Sequence, residues 1–368
     1  MLRFALVFVS IALAIAGQKP VPSDTRRQVW AIKLTQFVRE PPGWTQAEHR
    51  ETDAIAFSPG NKLLAVTLSD ALKTHLLILD MNSPEANIRQ FDLSETCGLD
   101  LSWNQRGDTL LVCGTLLRLA DGKTCAATAF PQQTRAWTPL AAFWIDSDHV
   151  VQNNGAIVDL ECKSTGAWDP EPGWRIGSTE VSKGWVLLEQ IGDPNGFCQF
   201  TIADSESRRT LWPTPKVPWP CGLAVLATGA QAMCANVLDK DRYADKRKLH
   251  CWKASGEMAI PKKLRDYQLS QAATSSTRVL AERWGLDHYP WWVLLLTWWV
   301  PEDPPEVLKE RVVFDVESGA RICAWKPATQ ESLSPYRHVG YYAAAISADG
   351  EYVAESGDGN LILYRITQ

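Results

Sequence analysis

The chain has 368 residues, 45% of them hydrophobic, and a formal net charge of -5, so it is neither a disordered chain nor a basic nucleic-acid-binding protein. Its nine cysteines and 17 tryptophans are many for this length. They indicate disulfides and a core or binding surface rich in large rings.

The first segment along the chain has the layout of a secretory signal peptide. Arg3 precedes an apolar stretch over 4–13, and residues 14–16 have the Ala-x-Ala form before Gly17. The apolar stretch is roughly ten residues long, about half of what a membrane-spanning helix needs. We therefore expect cleavage after Ala16 and export to the periplasm or the outside of a bacterial cell.

Short apolar strands separated by turn signals recur along the rest of the chain. Near the C-terminus, three strands are divided by Asp-Gly dipeptides at 349–350 and 358–359, which are typical of hairpin turns. The segment 54–80 repeats this pattern, with residues 58–61 in the place of 347–350. The recurring meander predicts β-sheets and no helices.

These repeats resemble the WD40-like and YVTN-type propeller repeats. That family carries a Ser-Pro-Asp-Gly-like turn in the inner hairpin and an Asp-x-x-Ser/Thr-Gly-like pattern in the outer one. Residues 315–319 fit the outer pattern closely, and 119–124 and 159–166 fit it loosely. The resemblance implies an all-β fold made of one β-propeller, and it specifies architecture better than activity.

Taking each inner strand as a marker predicts seven blades, at 53–95, 98–130, 140–170, 175–213, 221–264, 267–327 and 339–368. The last blade has three strands of its own, and the alternating segment 29–37 is predicted to supply the fourth. This pairing would close the ring and remove its exposed edges. Six or eight blades are the alternatives. The predicted organisation is a signal peptide at 1–16, a linker at 17–28 and a propeller at 29–368.

Tryptophan and proline recur in the links between the predicted blades. These links and the loops between second and third strands share one face of the ring, the top face. Each tryptophan side chain either packs between neighbouring blades as part of the core or belongs to an apolar rim that binds a ligand. The repetition favours the structural role. The tryptophans concerned are Trp44, Trp137, Trp168, Trp174, Trp212, Trp219 and Trp325.

A Trp- and Pro-rich insertion at about 285–309 is the most distinctive segment. The ten residues between Pro290 and Pro301 are apolar except Thr297, and they are too few to span a bilayer. They are expected either to pack over the top face or to contact a partner or a membrane surface. The candidate binding residues of this insertion are His288, Trp291, Trp292, Trp298 and Trp299.

Three glutamates follow similar apolar triplets in predicted second strands: Glu189, Glu282 and Glu355. If they converge near the top face, they could bind a cation or a cationic ligand, or raise one another's pKa for acid/base chemistry. The alternative is that each pairs with a neighbouring residue.

Four cysteines are disulfide candidates. Cys97 and Cys113 flank one inner hairpin, and Cys221 and Cys234 flank the equivalent hairpin three blades later. Each pair is predicted to lie nearly opposite across antiparallel strands, either as a disulfide or as two small buried thiols.

The sequence contains no nucleophile elbow, zincin helix, phosphate loop or Cys-x-x-Cys pair. No catalytic residue, metal ligand or cofactor is therefore assigned. The leading interpretation is an exported, non-enzymatic β-propeller that binds a protein, a glycan or a small molecule through its Trp-rich top face. The alternatives are a propeller enzyme, such as a lactonase-like hydrolase or a lyase with an acidic and histidine site at the channel mouth, and a structural subunit of an envelope complex.

Overall fold

The computed structural model describes residues 26–37, 51–69, 74–93, 101–128, 142–152, 154–190, 197–218, 221–238, 247–286, 306–327, 343–357 and 359–367. These residues form seven four-stranded antiparallel sheets arranged as a β-propeller, which confirms the predicted fold and blade number. The first strands of neighbouring blades contact one another around the centre of the ring.

The strand bounds follow the chain from the N-terminus. Strand β1 (Arg26–Lys33) precedes blade 1, which contains β2 (Glu51–Phe57), β3 (Leu63–Ser69), β4 (Thr74–Asp80) and β5 (Arg89–Leu93). Blade 2 contains β6 (Leu101–Trp103), β7 (Thr109–Val112), β8 (Thr115–Arg118) and β9 (Thr124–Ala126). Blade 3 contains β10 (Ala142–Trp144), β11 (His149–Gln152), β12 (Ala156–Asp159) and β13 (Ser164–Ala167).

Blade 4 contains β14 (Trp174–Glu180), β15 (Trp185–Gln190), β17 (Phe200–Asp204) and β18 (Thr210–Pro213), with a small pair β16 (Phe197–Cys198) and β19 (Val217–Pro218) beside it. Blade 5 contains β20 (Cys221–Ala227), β21 (Ala232–Leu238), β22 (Arg247–Lys253) and β23 (Gly256–Glu257). Blade 6 contains β24 (Gln268–Ala272), β25 (Arg278–Leu286), β26 (Glu306–Asp315) and β27 (Arg321–Trp325). Blade 7 contains β28 (Ala344–Ile346), β29 (Tyr352–Gly357) and β30 (Asn360–Ile366).

Helical structure in the described residues consists of 3-10 turns. They span Leu34–Gln36, Val181–Lys183, Thr228–Ala230 and Lys262–Leu264.

The second strand of a blade is buried on both faces because a neighbouring blade packs against each face. In β3, the consecutive residues Leu64, Ala65 and Val66 are all fully buried, although their side chains point alternately to opposite faces. Such strands therefore read as continuous apolar runs. The core consists of layers between adjacent blades.

The ring closes as the sequence predicts, by pairing of the N-terminal strand with the last strand of blade 7. Strand β1 runs antiparallel to β30, and the blade order is β1-β30-β29-β28. The bounds differ from the predicted 29–37. The strand begins at Arg26, inside the predicted linker, and its expected end over Leu34–Gln36 is a 3-10 turn.

A β-bulge between Gln28 and Trp30 divides β1 into two halves that face different blades. Before the bulge, Arg26 lies opposite Ile366, which packs with blade 6. After the bulge, Ile32 lies opposite Leu361 and packs with the core of blade 1. Trp30 donates a hydrogen bond from Nε1 to the Met81 carbonyl of blade 1, at 3.1 Å. One strand thus joins blade 7 to both of its neighbours.

The turns between first and second strands lie on the opposite face of the ring, the bottom face, where they bond to one another. Asn61 of blade 1 donates from Nδ2 to Asp349 of blade 7 at 2.6 Å. Ser275 of blade 6 donates from Oγ to the Ala348 carbonyl of blade 7 at 2.8 Å. These bonds tie neighbouring turns around the ring closure.

Two disulfides join described cysteines. Cys125 of β9 bonds to Cys162 in the β12–β13 turn, which links blades 2 and 3 covalently. Cys234 bonds to Cys251, its direct partner on β22. Cys113 and Cys198 are disulfide-bonded as well.

The predicted Cys221–Cys234 disulfide is therefore wrong. The hairpin of blade 5 turns through the 3-10 turn Thr228–Ala230, and the resulting register places Val225 opposite Cys234 and Val237 opposite Cys221. The predicted Cys97–Cys113 pair stays a prediction because Cys97 lies outside the described residues.

The ring closure makes a prediction about stability. Ile32→Ala should lower the free energy of unfolding by about 2–4 kcal/mol, because it leaves a cavity between blades 7 and 1. Val29→Ala, at a 48% exposed position in the same strand, is the matched control and should change it by less than about 0.5 kcal/mol. Urea denaturation measures both. Equal effects for the two variants would contradict the observed packing.

Candidate functional site

Two of the three predicted glutamates meet at the junction of blades 6 and 7. Glu282 lies on β25, and its neighbour two residues earlier, Leu280, packs in the layer between these blades. Glu355 lies on β29, two residues after Val353, which packs in the same layer from the other side. Since residues two apart in a strand share a face, the two carboxylates point toward each other across the junction.

Arg311 joins these two carboxylates. Its guanidinium donates from Nε to Glu282 Oε1 and from Nη1 to Glu355 Oε2, both at 2.9 Å. Trp325 donates from Nε1 to the same Glu355 Oε2 at 2.8 Å. Arg311 is fully buried, and it is the largest fully buried side chain among the described residues.

The register of blade 6 explains this position. Glu282, Arg311 and Trp325 are direct partners on three adjacent strands, so their side chains lie in one row on one face of the sheet. A buried arginine is tolerated only where its donors have acceptors. The two carboxylates meet that need, and we call Arg311, Glu282, Glu355 and Trp325 the junction cluster.

Arg26 extends the junction cluster to the N-terminal strand. Its Nη1 lies 3.4 Å from Glu355 Oε1. Its guanidinium carbon lies 4.8 Å from the centre of a Trp325 ring and 4.2 Å from that of the Tyr364 ring. These distances are within the range of cation–π interactions.

A second ionic group lies beside the first, around Glu310 of β26. Its carboxylate interacts with Arg283, with Arg321 and with the hydroxyl of Tyr267. Burial of Tyr267 raises the pKa of its hydroxyl to about 12, and the hydrogen bond to Glu310 and the negative charge of Glu310 act in the same direction. Together with the junction cluster, this group fixes both long strands of blade 6.

Glu189 does not join the other two glutamates. It lies on β15 of blade 4, where Arg175 donates to its Oε2 from Nη2 at 2.9 Å. A Cβ at Gly177 would lie only 2.5 Å from the Glu189 side chain, so this carboxylate is packed against its own blade. The proposal that the three carboxylates form one binding site therefore finds no geometric support.

Of the seven tryptophans of the predicted links, Trp44, Trp137 and Trp219 lie outside the described residues and stay predictions, and Trp174 is half-buried. Trp168, Trp212 and Trp325, from the predicted links, are buried and pack between blades, as the structural interpretation expected. The candidate binding residues of the insertion, His288, Trp291, Trp292, Trp298 and Trp299, lie outside the described residues and stay predictions.

A groove opens between blades 6 and 7 on the bottom face, with a volume of about 640 Å³. Its lining includes Arg278, Asp315, Asp349 and Glu351. Burial alone would raise the pKa of Asp315, but hydrogen bonds from Ser318 and Thr277 outweigh it and hold the pKa below its usual value. Arg278 donates to the Gly350 carbonyl at 2.8 Å. Internal partners thus occupy these two charged residues.

In the part of the chain that the structure describes, no set of three His, Cys, Asp or Glu side chains is placed to hold a metal ion. The same residues contain no helix long and apolar enough to cross a membrane.

Sequence reasoning missed Arg311, Arg26 and Tyr267. The sequence did carry a signal for Arg311. It lies two residues before Val313 in an apolar third strand, so both side chains lie on the same inward face of the sheet. A charged residue at such a position requires a buried partner. Arg26 gave no comparable signal. It precedes the predicted strand, and its partners come from three other strands.

No family model matches the chain, and no curated protein matches it. Among solved structures, the β-propeller domain of Cps50 (Swd1) from Myceliophteria thermophila is 13% identical, with a TM-score of 0.52 over 93% of this chain and 100% of that chain. A chain of the Mitotic Checkpoint Complex is also 13% identical, with a TM-score of 0.54 over 95% of this chain and 99% of that chain. These neighbours are WD40 β-propeller domains, and at this identity they show the fold alone.

The junction cluster predicts a large effect from one substitution. Arg311→Met should lower the free energy of unfolding by about 3–5 kcal/mol, because it leaves the buried Glu355 and the partly buried Glu282 without their shared cation. Arg106→Met removes an arginine from an exposed pair with Asp148 and should cost no more than about 1 kcal/mol. Urea denaturation compares the two. Unchanged stability of Arg311→Met would mean that the carboxylates do not depend on this arginine.

The raised pKa of Tyr267 predicts a loss of stability in alkaline solution. The folded pKa is about 12 against an ordinary 10.0, so the folded protein holds this proton more tightly. The resulting stabilisation is complete below about pH 10 and is lost as the pH rises toward 12. The tyrosinate absorbance of the native protein minus that of Tyr267→Phe should show one late-titrating group. Glu310→Gln should shift the titration of Tyr267 to lower pH. Titration of Tyr267 near pH 10 in the native protein would contradict its raised pKa.

Proposed function

We propose that this chain is an exported, protein-binding propeller whose contact surface is the Trp-rich insertion of blade 6. The observation that carries the proposal is the length of the strand pair leading to that insertion. Strands β25 and β26 have nine and ten residues, whereas the second and third strands of the other blades have four to seven. The pair therefore extends beyond the other blades before the chain enters 287–305.

The base of this long hairpin is firmly held. Arg311 fixes β25 and β26 to blade 7 through Glu282 and Glu355. One step further along the hairpin, Arg283 and Glu310 form a cross-strand ion pair at 3.2 Å, braced by Tyr267. A rigid base lowers the entropic cost of binding because the contact segment is presented from an ordered support.

The residue types of the insertion suit a protein partner. Trp291, Trp292, Trp298 and Trp299 provide large apolar area, and tryptophan is the residue type most enriched at binding hot spots. The fold supports the same view, since its neighbours are WD40 domains and one of them belongs to a multi-protein complex. Propellers are used widely as scaffolds, so this support concerns the class of function and not the partner.

Two further features support export. The N-terminal sequence has the signal-peptide pattern, and the chain forms disulfides, which persist in oxidising compartments. We place the protein in the bacterial periplasm or outside the cell, in line with its resemblance to YVTN-type repeats. The enzyme alternative gains nothing from Glu282 and Glu355, because Arg311 binds both.

The experiment compares partner capture by three forms of the full chain. In the first variant, all four insertion tryptophans are replaced by alanine at unchanged length. In the matched control, residues 240–245, which lie between the second and third strands of blade 5, are replaced by a Gly-Ser linker. Tagged proteins are incubated with envelope extract, and captured proteins are quantified by mass spectrometry.

The tryptophan variant should lose at least about tenfold in capture of any specific partner, as expected when several hot-spot residues are removed. It should keep the native melting temperature within about 2 °C, because Arg311 and Glu310 anchor strands β25 and β26 independently of the insertion. The control should capture normally. If the tryptophan variant retains every specific partner, the insertion is not the contact surface.

A further inference from the structure

Arg26 occupies a site whose walls come from other strands. Trp325 belongs to β27 of blade 6, and Glu355 and Tyr364 belong to β29 and β30 of blade 7. The guanidinium comes from β1. The two rings and the carboxylate are thus held by the ring of blades, and the N-terminal strand delivers the cation to them.

The chemistry of this site fits a guanidinium group. A planar, delocalised cation stacks on aromatic faces and donates in its own plane to a carboxylate, whereas an ammonium group is a compact and strongly hydrated charge. The Arg26 guanidinium lies over two rings and beside Glu355 Oε1. The site therefore uses both properties that distinguish arginine from lysine.

The two carboxylate oxygens of Glu355 contact different residues. Oε2 accepts hydrogen bonds from Arg311 and Trp325 and belongs to the junction cluster. Oε1 faces Arg26. Because the carboxylate is only 4% exposed and its position is fixed by Arg311, Oε1 is oriented before any cation arrives.

Among the described residues, the two other arginines beside aromatic rings, Arg283 and Arg365, lack this enclosure. Arg365 lies 5.8 Å from the Tyr352 ring and pairs with Glu351, but its side chain is 56% exposed. The Arg26 side chain is 14% exposed. Desolvation strengthens cation–π and ionic attraction, so the enclosed site discriminates among cations better than the exposed one.

The backbone adds a second element of recognition. Strand β1 pairs with β30 from Arg26 to Lys33, and Arg26 lies diagonally beside Tyr364 on the same face. We propose that Trp325, Tyr364 and Glu355 form an arginine-recognition pocket at the outer edge of blade 7, which Arg26 fills as the chain's own ligand. Its ligand class is the guanidinium group of an arginine carried on an extended strand, and its occupancy controls closure of the ring.

The test is chemical rescue of the full chain. Arg26→Ala should lower the melting temperature by roughly 5 °C. Adding about 20 mM N-methylguanidinium chloride should then raise the melting temperature of this variant by about 2 °C relative to the same concentration of sodium chloride, as expected for a ligand with a millimolar Kd. The native protein should gain less than about 1 °C, since its pocket is filled. Methylammonium chloride, whose cation is not planar, should not restore the melting temperature of Arg26→Ala.

Arg27→Ala is the matched control, because it removes the same charge from an exposed neighbour in the same strand. It should neither destabilise the protein comparably nor create a response to N-methylguanidinium. Equal rescue by methylammonium or sodium chloride, or equal responses of the Arg26 and Arg27 variants, would overturn the proposal.

Arg26→Lys covers the case in which Arg26→Ala does not fold, since it keeps the charge. It should melt at least about 3 °C below the native protein, because the ammonium group cannot stack on both rings. Arg27→Lys should melt like the native protein. An Arg26→Lys variant as stable as the native protein would show that the pocket selects only charge, and the guanidinium assignment would fail.

Discussion

Closure of the ring is the constraint on which the rest of this structure depends. Each blade buries its middle strands only because a neighbour covers both faces, so a gap at any junction would expose two apolar sheet faces. The gap to be closed lies between the first and last blades, and β1 closes it by completing blade 7. The bulge at Val29 lets this one strand pack toward blade 6 with its first half and toward blade 1 with its second.

A buried cluster of charged groups lies beside this closing strand. Arg311 is fully buried between blades 6 and 7, and it is compatible with folding because Glu282 and Glu355 supply its acceptors from the two sheets. An apolar packing of this junction could be equally stable, since buried ion pairs recover little more than their desolvation cost. What the charges add is geometry, because each donor requires one acceptor. The junction is thereby held in one register, and Glu355 is left with one oxygen turned toward the N-terminal strand.

This arrangement relates the fold to its proposed use. The long hairpin of blade 6 rises from the junction cluster, and the Glu310 group braces it a step further out. The proposed contact segment would therefore be supported by two strands that ion pairs join to each other and to blade 7. Ring closure and partner binding would also share a support, since Glu355 contacts both Arg26 and the arginine that anchors the hairpin.

The sequence alone determined the repeating meander and favoured seven blades, over six or eight, with an N-terminal closing strand, because these follow from local turn signals and from alternating or continuous apolar runs. It also determined that Glu282 and Glu355 occupy similar places in their blades, though not that they face each other. The tertiary structure decided which groups meet. Cys234 bonds to Cys251 and not to Cys221, because the hairpin turn of blade 5 sets the register. Arg311 and Arg26 reach their partners across blades, and such contacts depend on sheet register and on the packing of one blade against the next, which local sequence patterns do not encode.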